Sequence, residues 1–265
     1  MIDLQAELDA RRDQVVRLEQ ERADLQIEVE AFRQTYLARV GPAQAELDAL
    51  ELHIEAYRLR RELLRMRGNG LDAAKLEAEV EWQLRGRREQ FAGYQASIHR
   101  AEATARTPSP VLDSTAQLEL KLLYRDLAKR AHPDLALDEA DRAARGALMA
   151  EINAAYARGD QAALQALAAR LSGSGRENQA GGADWLRAEI ERLDGVIIAL
   201  RAEIGALNAS DWLALKLDAA LARSRGIDWF NQACSQIEAR MVERRAELAR
   251  LIAGFMELVR EVGLG

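Results

Sequence analysis

From Leu8 the apolar or seam positions recur at alternating intervals of three and four, through Arg11, Val15, Leu18, Arg22, Leu25, Val29, Phe32 and Tyr36. That heptad spacing draws one stripe along a helix and asks for another helix to cover it. Arg11 and Arg22 interrupt a simple leucine seam. Their stems can lie on apolar surface while the charged heads reach water, or they can mark one register. Gly41-Pro42 ends or kinks the run, because proline lacks an amide donor and crowds the preceding turn. A second stripe uses Leu47, Leu50, Ile54, Tyr57, Arg61 and Leu64 before the reversal signal Gly68-Asn69-Gly70. A third begins after Asp72, a residue suited to cap exposed amides, and carries Leu76, Val80, Leu84, Phe91, Tyr94 and Ile98. Segments 42–66 and 73–104 are similar in length, which predicts an antiparallel helical hairpin. The first helix is left to pack on that hairpin or to pair with another subunit.

Pro108-Ser109-Pro110 marks a boundary. Beyond it the pattern predicts helices over 115–131, 139–157 and 160–171, with a loop at 132–138. The glycine-rich stretch 172–182 reads as a flexible linker. Leu186, Ile190, Leu193, Ile197, Leu200, Ile204 and Leu207 then form the cleanest heptad pattern of the chain. A short helix near Trp212 and a final one carrying Phe230, Cys234, Ile237, Met241, Leu248, Leu251, Phe255 and Leu258 complete the prediction. The two long C-terminal helices are expected to fold against one another. The organisation is therefore all-α: an N-terminal coiled-coil arm (1–105), a central helical hairpin (114–171) and a C-terminal hairpin (184–265), with long antiparallel helices flanking the centre.

Composition supports helix and narrows function. Only four prolines and seventeen glycines interrupt 265 residues, and the abundant Ala, Leu, Glu and Arg lose little side-chain freedom in a helix. A net charge of -6 argues against a general nucleic-acid binder, which needs a positive field. Cys234 is the single cysteine, so neither an intrachain disulfide nor a Cys-rich zinc site is available, and a buried packing role is expected for it. No secretory signal pattern opens the chain and no apolar run is long enough to span a membrane, so a cytoplasmic location is expected.

The chemistry-bearing stretch runs from Leu118 to Asp134. Leu120, Leu123, Tyr124, Leu127 and Ala131 share an inward stripe, while Lys121, Arg125 and Lys129 recur every four residues on a different face. A basic face of this kind can steer encounter with an acidic surface. The helix leads into His132-Pro133-Asp134, where proline restrains the backbone and the flanking side chains can present polar groups to a partner.

This run, Tyr124-Arg125-Asp126-Leu127-Ala128-Lys129-Arg130-Ala131-His132-Pro133-Asp134, followed by Glu151-Ile152-Asn153-Ala154-Ala155-Tyr156, resembles the J-domain family. The resemblance covers about residues 114–170 and implies an antiparallel helix pair that engages a DnaK-type chaperone. By that resemblance His132, Pro133 and Asp134 would carry activation of the partner's ATPase, and Lys121, Arg125, Lys129 and Arg130 would guide or hold the complex. Tyr124, Leu127, Ile152 and Tyr156 are expected to be inter-helix core. Two departures stand out: Ala131 occupies a place where family members often carry an aromatic residue, and Pro108 to Ser114 is too short and proline-rich for the usual first helix. Either a flanking helix replaces that element or the domain is reduced.

No Gly-x-x-x-x-Gly-Lys phosphate loop is present, and His53 and His99 have no neighbouring ligands in sequence, so no ATPase activity, cofactor or metal is expected of this chain. Trp82, Trp185, Trp212 and Trp229 read as packing anchors. The expectation is a co-chaperone or adaptor, itself no enzyme, that couples a DnaK-type ATPase to a client or scaffold through its helical arms. Self-association of those arms is the further partner expectation; a membrane or nucleic acid is not. The competing reading is a structural coiled-coil protein with a degenerate J-like centre.

Overall fold

Helix-favouring composition is realised along almost the whole chain. The computed structural model describes residues 3–67, 72–106, 114–133, 136, 139–172 and 182–263. The reversal at 68–70, the proline boundary at 107–110 and the linker at 173–181 lie outside them. Among the described residues the elements are α1 (Leu4–Arg39), α2 (Gly41–Arg67), α3 (Ala73–Arg106), α4 (Ser114–Ala131), α5 (Glu139–Ala157), α6 (Gln161–Ser172), α7 (Ala183–Asn208), α8 (Asp211–Ser224) and α9 (Trp229–Val262), with no strand.

Local chemistry sets several of the ends. The Asp72 carboxylate accepts the Lys75 amide at 2.7 Å, and Asp228 caps α9 by accepting from the amides of Phe230 and Asn231. Gly263 closes α9 with φ 69°, the left-handed conformation that glycine adopts without a side-chain clash. Proline at position 42 is tolerated in the first turn of α2, where its missing amide would have no helical partner. Gly41 beside it has a packing reason: a Cβ there would sit 2.8 Å from Ile98 Cγ1 of α3.

The helices form two compact units, one of residues 1–30 and 109–214 and the other of 31–108 and 215–265. In the second, α2 and α3 make the expected antiparallel hairpin, with Ala56, Leu63 and Leu64 against Leu76, Val80 and Leu84. The Arg60 guanidinium bridges to Glu77 beside them and holds that carboxyl below its usual range. Helix α9 lies along α2 in the same sense. Arg58 pairs with Glu247 and Glu51 with Arg240, both 189 residues apart, so the register advances equally along both helices. Phe230, Ile237 and Met241 meet Val40 and Leu47 along this seam, with Phe32, Tyr36 and Trp229 packed beside them.

In the first unit α7 runs parallel to α1. Leu8 and Val15 face Ile190, Leu193, Ile197 and Leu200, and the charged groups at the edge of the seam keep step. Arg11 meets Asp194 at 2.6 Å and Arg22 meets Glu203 at 2.8 Å, over separations of 183 and 181 residues. The two arginines that break the heptad stripe thus mark its parallel register. The expected C-terminal hairpin is replaced by these two parallel pairs, because a heptad stripe specifies that a helix must cover it but not which one.

Two smaller expectations are also corrected. Trp82 and Trp185 are exposed at 67% and 47%, lying away from the stripes that include Leu76, Val80 and Leu84 or Ile190 and Leu193. Cys234 is half-buried at the rim of its cluster, its Sγ 3.5 Å from the Arg39 carbonyl. No described helix is long and apolar enough to cross a membrane.

Candidate functional site

The centre of the first unit is built by α4, α5 and α6. Tyr124, Leu127, Ala128 and Ala131 of α4 are fully buried against Met149, Ile152, Ala155 and Tyr156 of α5 and Leu164 and Leu167 of α6. Burying an apolar side chain of this size stabilises by about 1.5–3 kcal/mol, so the cluster defines the pairing of these helices. The Tyr124 and Tyr156 rings stack with centroids 4.3 Å apart, and the Tyr124 hydroxyl donates to Asn153 Oδ1 at 2.9 Å. Asn153 thus satisfies the one polar atom that Tyr124 carries into the core. Burial pushes the Tyr124 phenol well above its ordinary range. Tyr156 is raised too, first by burial and then by the Asp24 carboxylate, which accepts its hydroxyl at 2.5 Å.

The segment after α4 is held from α5. Arg145 donates to the Arg130 carbonyl at 2.9 Å and is itself anchored by Asp141 at 3.0 Å. One of the orphan carbonyls at the end of α4 is satisfied in this way. His132 follows directly, and the Pro133 carbonyl accepts the Ala136 amide at 3.1 Å. Asp134 lies outside the described residues.

The expected partner-binding cations lie along one flank of α4, and α1 lies against them. Lys129 pairs with Asp13 at 2.6 Å and Lys121 with Asp24 at 2.9 Å, while the Arg125 guanidinium donates to the Gln20 side chain. Arg130 turns back to Asp126 of its own helix at 3.3 Å. His132 is 7% exposed, with Nε2 3.1 Å from a Glu19 carboxylate oxygen. Val16 of α1 joins the buried cluster, and Ala23 and Ile27 pack on its edge. Helix α1 thus supplies a further wall to the α4–α5 pair, a flanking helix of the kind that the short 108–114 stretch left open.

Two features escaped sequence reasoning. Leu118 and Leu122 are 59% and 55% exposed. At spacings of four, three and four they continue into Arg125 and Lys129, so this face of α4 is apolar and uncovered at one end and basic, against α1, at the other. That spacing was the available signal. The other omission is the polar strip of Asp13, Gln20 and Asp24. Its intervals of seven and four place the three side chains on one face of α1, distinct from the heptad stripe.

The remaining histidines do not converge on this site: His53 is exposed in α2, and His99 stands in α3 beside Glu102. Among the described residues no three of His, Cys, Asp and Glu gather as metal ligands. No protein-family model, curated protein or solved structure matches this chain, so its chemistry rests on these residues alone.

Proposed function

We propose that this chain is a J-domain-type co-chaperone of the cytoplasm. It stimulates ATP hydrolysis by a DnaK-type partner and uses its helical arms to link that partner to a client or scaffold. The carrying observation is the α4–α5 pair itself. A buried Tyr124–Tyr156 stack joins the two helices, a row of cations runs along α4, and His132-Pro133 opens the connection between them. The cations and the segment from His132 to Asp134 would meet the partner, with electrostatic attraction speeding encounter. Leu118 and Leu122 would add apolar contact on the same face. ATP chemistry belongs to the partner; this chain supplies contacts.

The support is local. Helix α1 packs Val16 into the α4–α5 cluster, which supports a flanking replacement for the usual first helix over a reduced domain. A second reading is favoured by the burial of His132: a structural protein whose J-like centre has become an internal packing element. Single-turnover ATP hydrolysis by the host's DnaK-type protein separates the two. The co-chaperone reading expects concentration-dependent acceleration by the full chain and its loss in folded His132→Gln. Absence of acceleration at any concentration leaves the structural reading.

A further inference from the structure

Docking through α4 requires its cations and His132 to face an incoming surface, and α1 already occupies that ground. Asp13 and Asp24 sit on Lys129 and Lys121 at 2.6 and 2.9 Å, Gln20 takes the Arg125 guanidinium, and Glu19 stands 3.1 Å from the nearly buried His132. These groups offer α4 the same chemistry as an acidic protein surface. Resting on the co-chaperone reading, we propose that α1 is a built-in competitor for the partner site: the chain rests masked, and an acidic docking surface must displace the 13–24 strip from α4.

Two observations make the contact a mask that can open. The carboxylates and ammonium groups of the outer pairs are about one-third to one-half exposed, so water and salt screen them and each pair is weak. The strip nevertheless remains close, because α1 is held by its apolar seam with α7. Tethering gives a weak competitor a high effective concentration. If the binding-competent state is a minor population, the apparent affinity for the partner falls by that fraction, and weakening the mask restores it.

The test uses the full chain and the host's DnaK-type protein, with single-turnover ATP hydrolysis measured across co-chaperone concentration. Asp13→Asn/Asp24→Asn removes two mask charges without touching α4. It should lower the half-saturating concentration about three- to tenfold while leaving the maximal rate unchanged. Gln20→Glu adds a carboxylate opposite Arg125 and should raise the half-saturating concentration. The opposite signs guard against a misfolded variant imitating the effect. If the native chain stimulates but the double variant is no more potent, or Gln20→Glu acts in the same direction as the double variant, the mask is overturned and the co-chaperone reading stands. If neither the native nor the unmasked chain stimulates, the co-chaperone reading itself fails and the mask with it.

Discussion

Helix α1 has two seams, and they are filled with different chemistry. Toward α7 it presents Leu8 and Val15, both about 1% exposed, to a row of isoleucines and leucines. Toward α4 it presents Asp13, Glu19, Gln20 and Asp24, with Val16 as its one fully buried apolar contact. Apolar burial is non-directional and unscreened, and at about 25 cal/mol per Å² it accumulates along a seam. Toward α4, the outer pairs of Asp13 and Asp24 are about one-third to one-half exposed, and such pairs contribute between about 0 and 1 kcal/mol each and weaken with salt. The first seam is therefore suited to permanent attachment, and the second to contact that a competing acidic surface can replace.

The largest test of that contrast is a cavity in the apolar seam. Leu193→Ala should cost about 2–5 kcal/mol, read as a lower midpoint in urea denaturation, because Leu193 is 1% exposed and its neighbours relax only partly into the space. A loss below about 1 kcal/mol would show that the α1–α7 seam does not hold the unit together. Next in size is Tyr124→Phe, which keeps the stack on Tyr156 but leaves Asn153 Oδ1 without its donor. The expected cost is about 1–2 kcal/mol in the same measurement. A neutral result would mean that water replaces the phenol.

How much of this was legible in the sequence depended on whether the signal was periodic or relational. The heptads located the long helices, and Tyr124, Leu127, Ile152 and Tyr156 were read correctly as inter-helix core, since all four are buried. The hydrogen bond from Tyr124 to Asn153 and the partner of each stripe were not legible. Nothing in Ile190 or Leu193 says that Leu8 and Val15 will cover them rather than a C-terminal neighbour, because all heptad stripes carry similar side chains. Arg11 and Arg22 came nearest to a pairing signal. Their acidic partners Asp194 and Glu203 lie at almost the same offset, but only once parallel pairing is considered. At the candidate site the cations were visible as a four-residue repeat, whereas their burial partners sat a hundred residues away on a helix with no motif.

A smaller effect is expected from the polar seam. Asp13→Asn should change stability by less than about 1 kcal/mol, and its difference from the native chain should shrink further in high salt. A loss as large as that of Leu193→Ala would erase the distinction between the seams and make α1 a fixed wall of the site.

The smallest effect is invisible at neutral pH and appears only in alkali. The raised phenols of Tyr124 and Tyr156 favour the protonated form in the folded chain. Their contribution to stability is complete below the ordinary tyrosine value of 10.0 and is lost as pH rises through the higher folded values. Absorbance titration near 295 nm should therefore show these two ionising late, together with Tyr36 and Tyr94, whose phenols burial also raises. Asp24→Asn removes the negative charge beside the Tyr156 hydroxyl but keeps an acceptor oxygen, so Tyr156 should ionise at lower pH than in the native chain. It should still titrate above an exposed tyrosine, because burial is the larger cause of its shift. Since Asp24 belongs to α1 and Tyr156 to α5, the same titration reports whether the polar seam is closed: an unshifted Tyr156 in Asp24→Asn would mean that the two groups do not meet in solution.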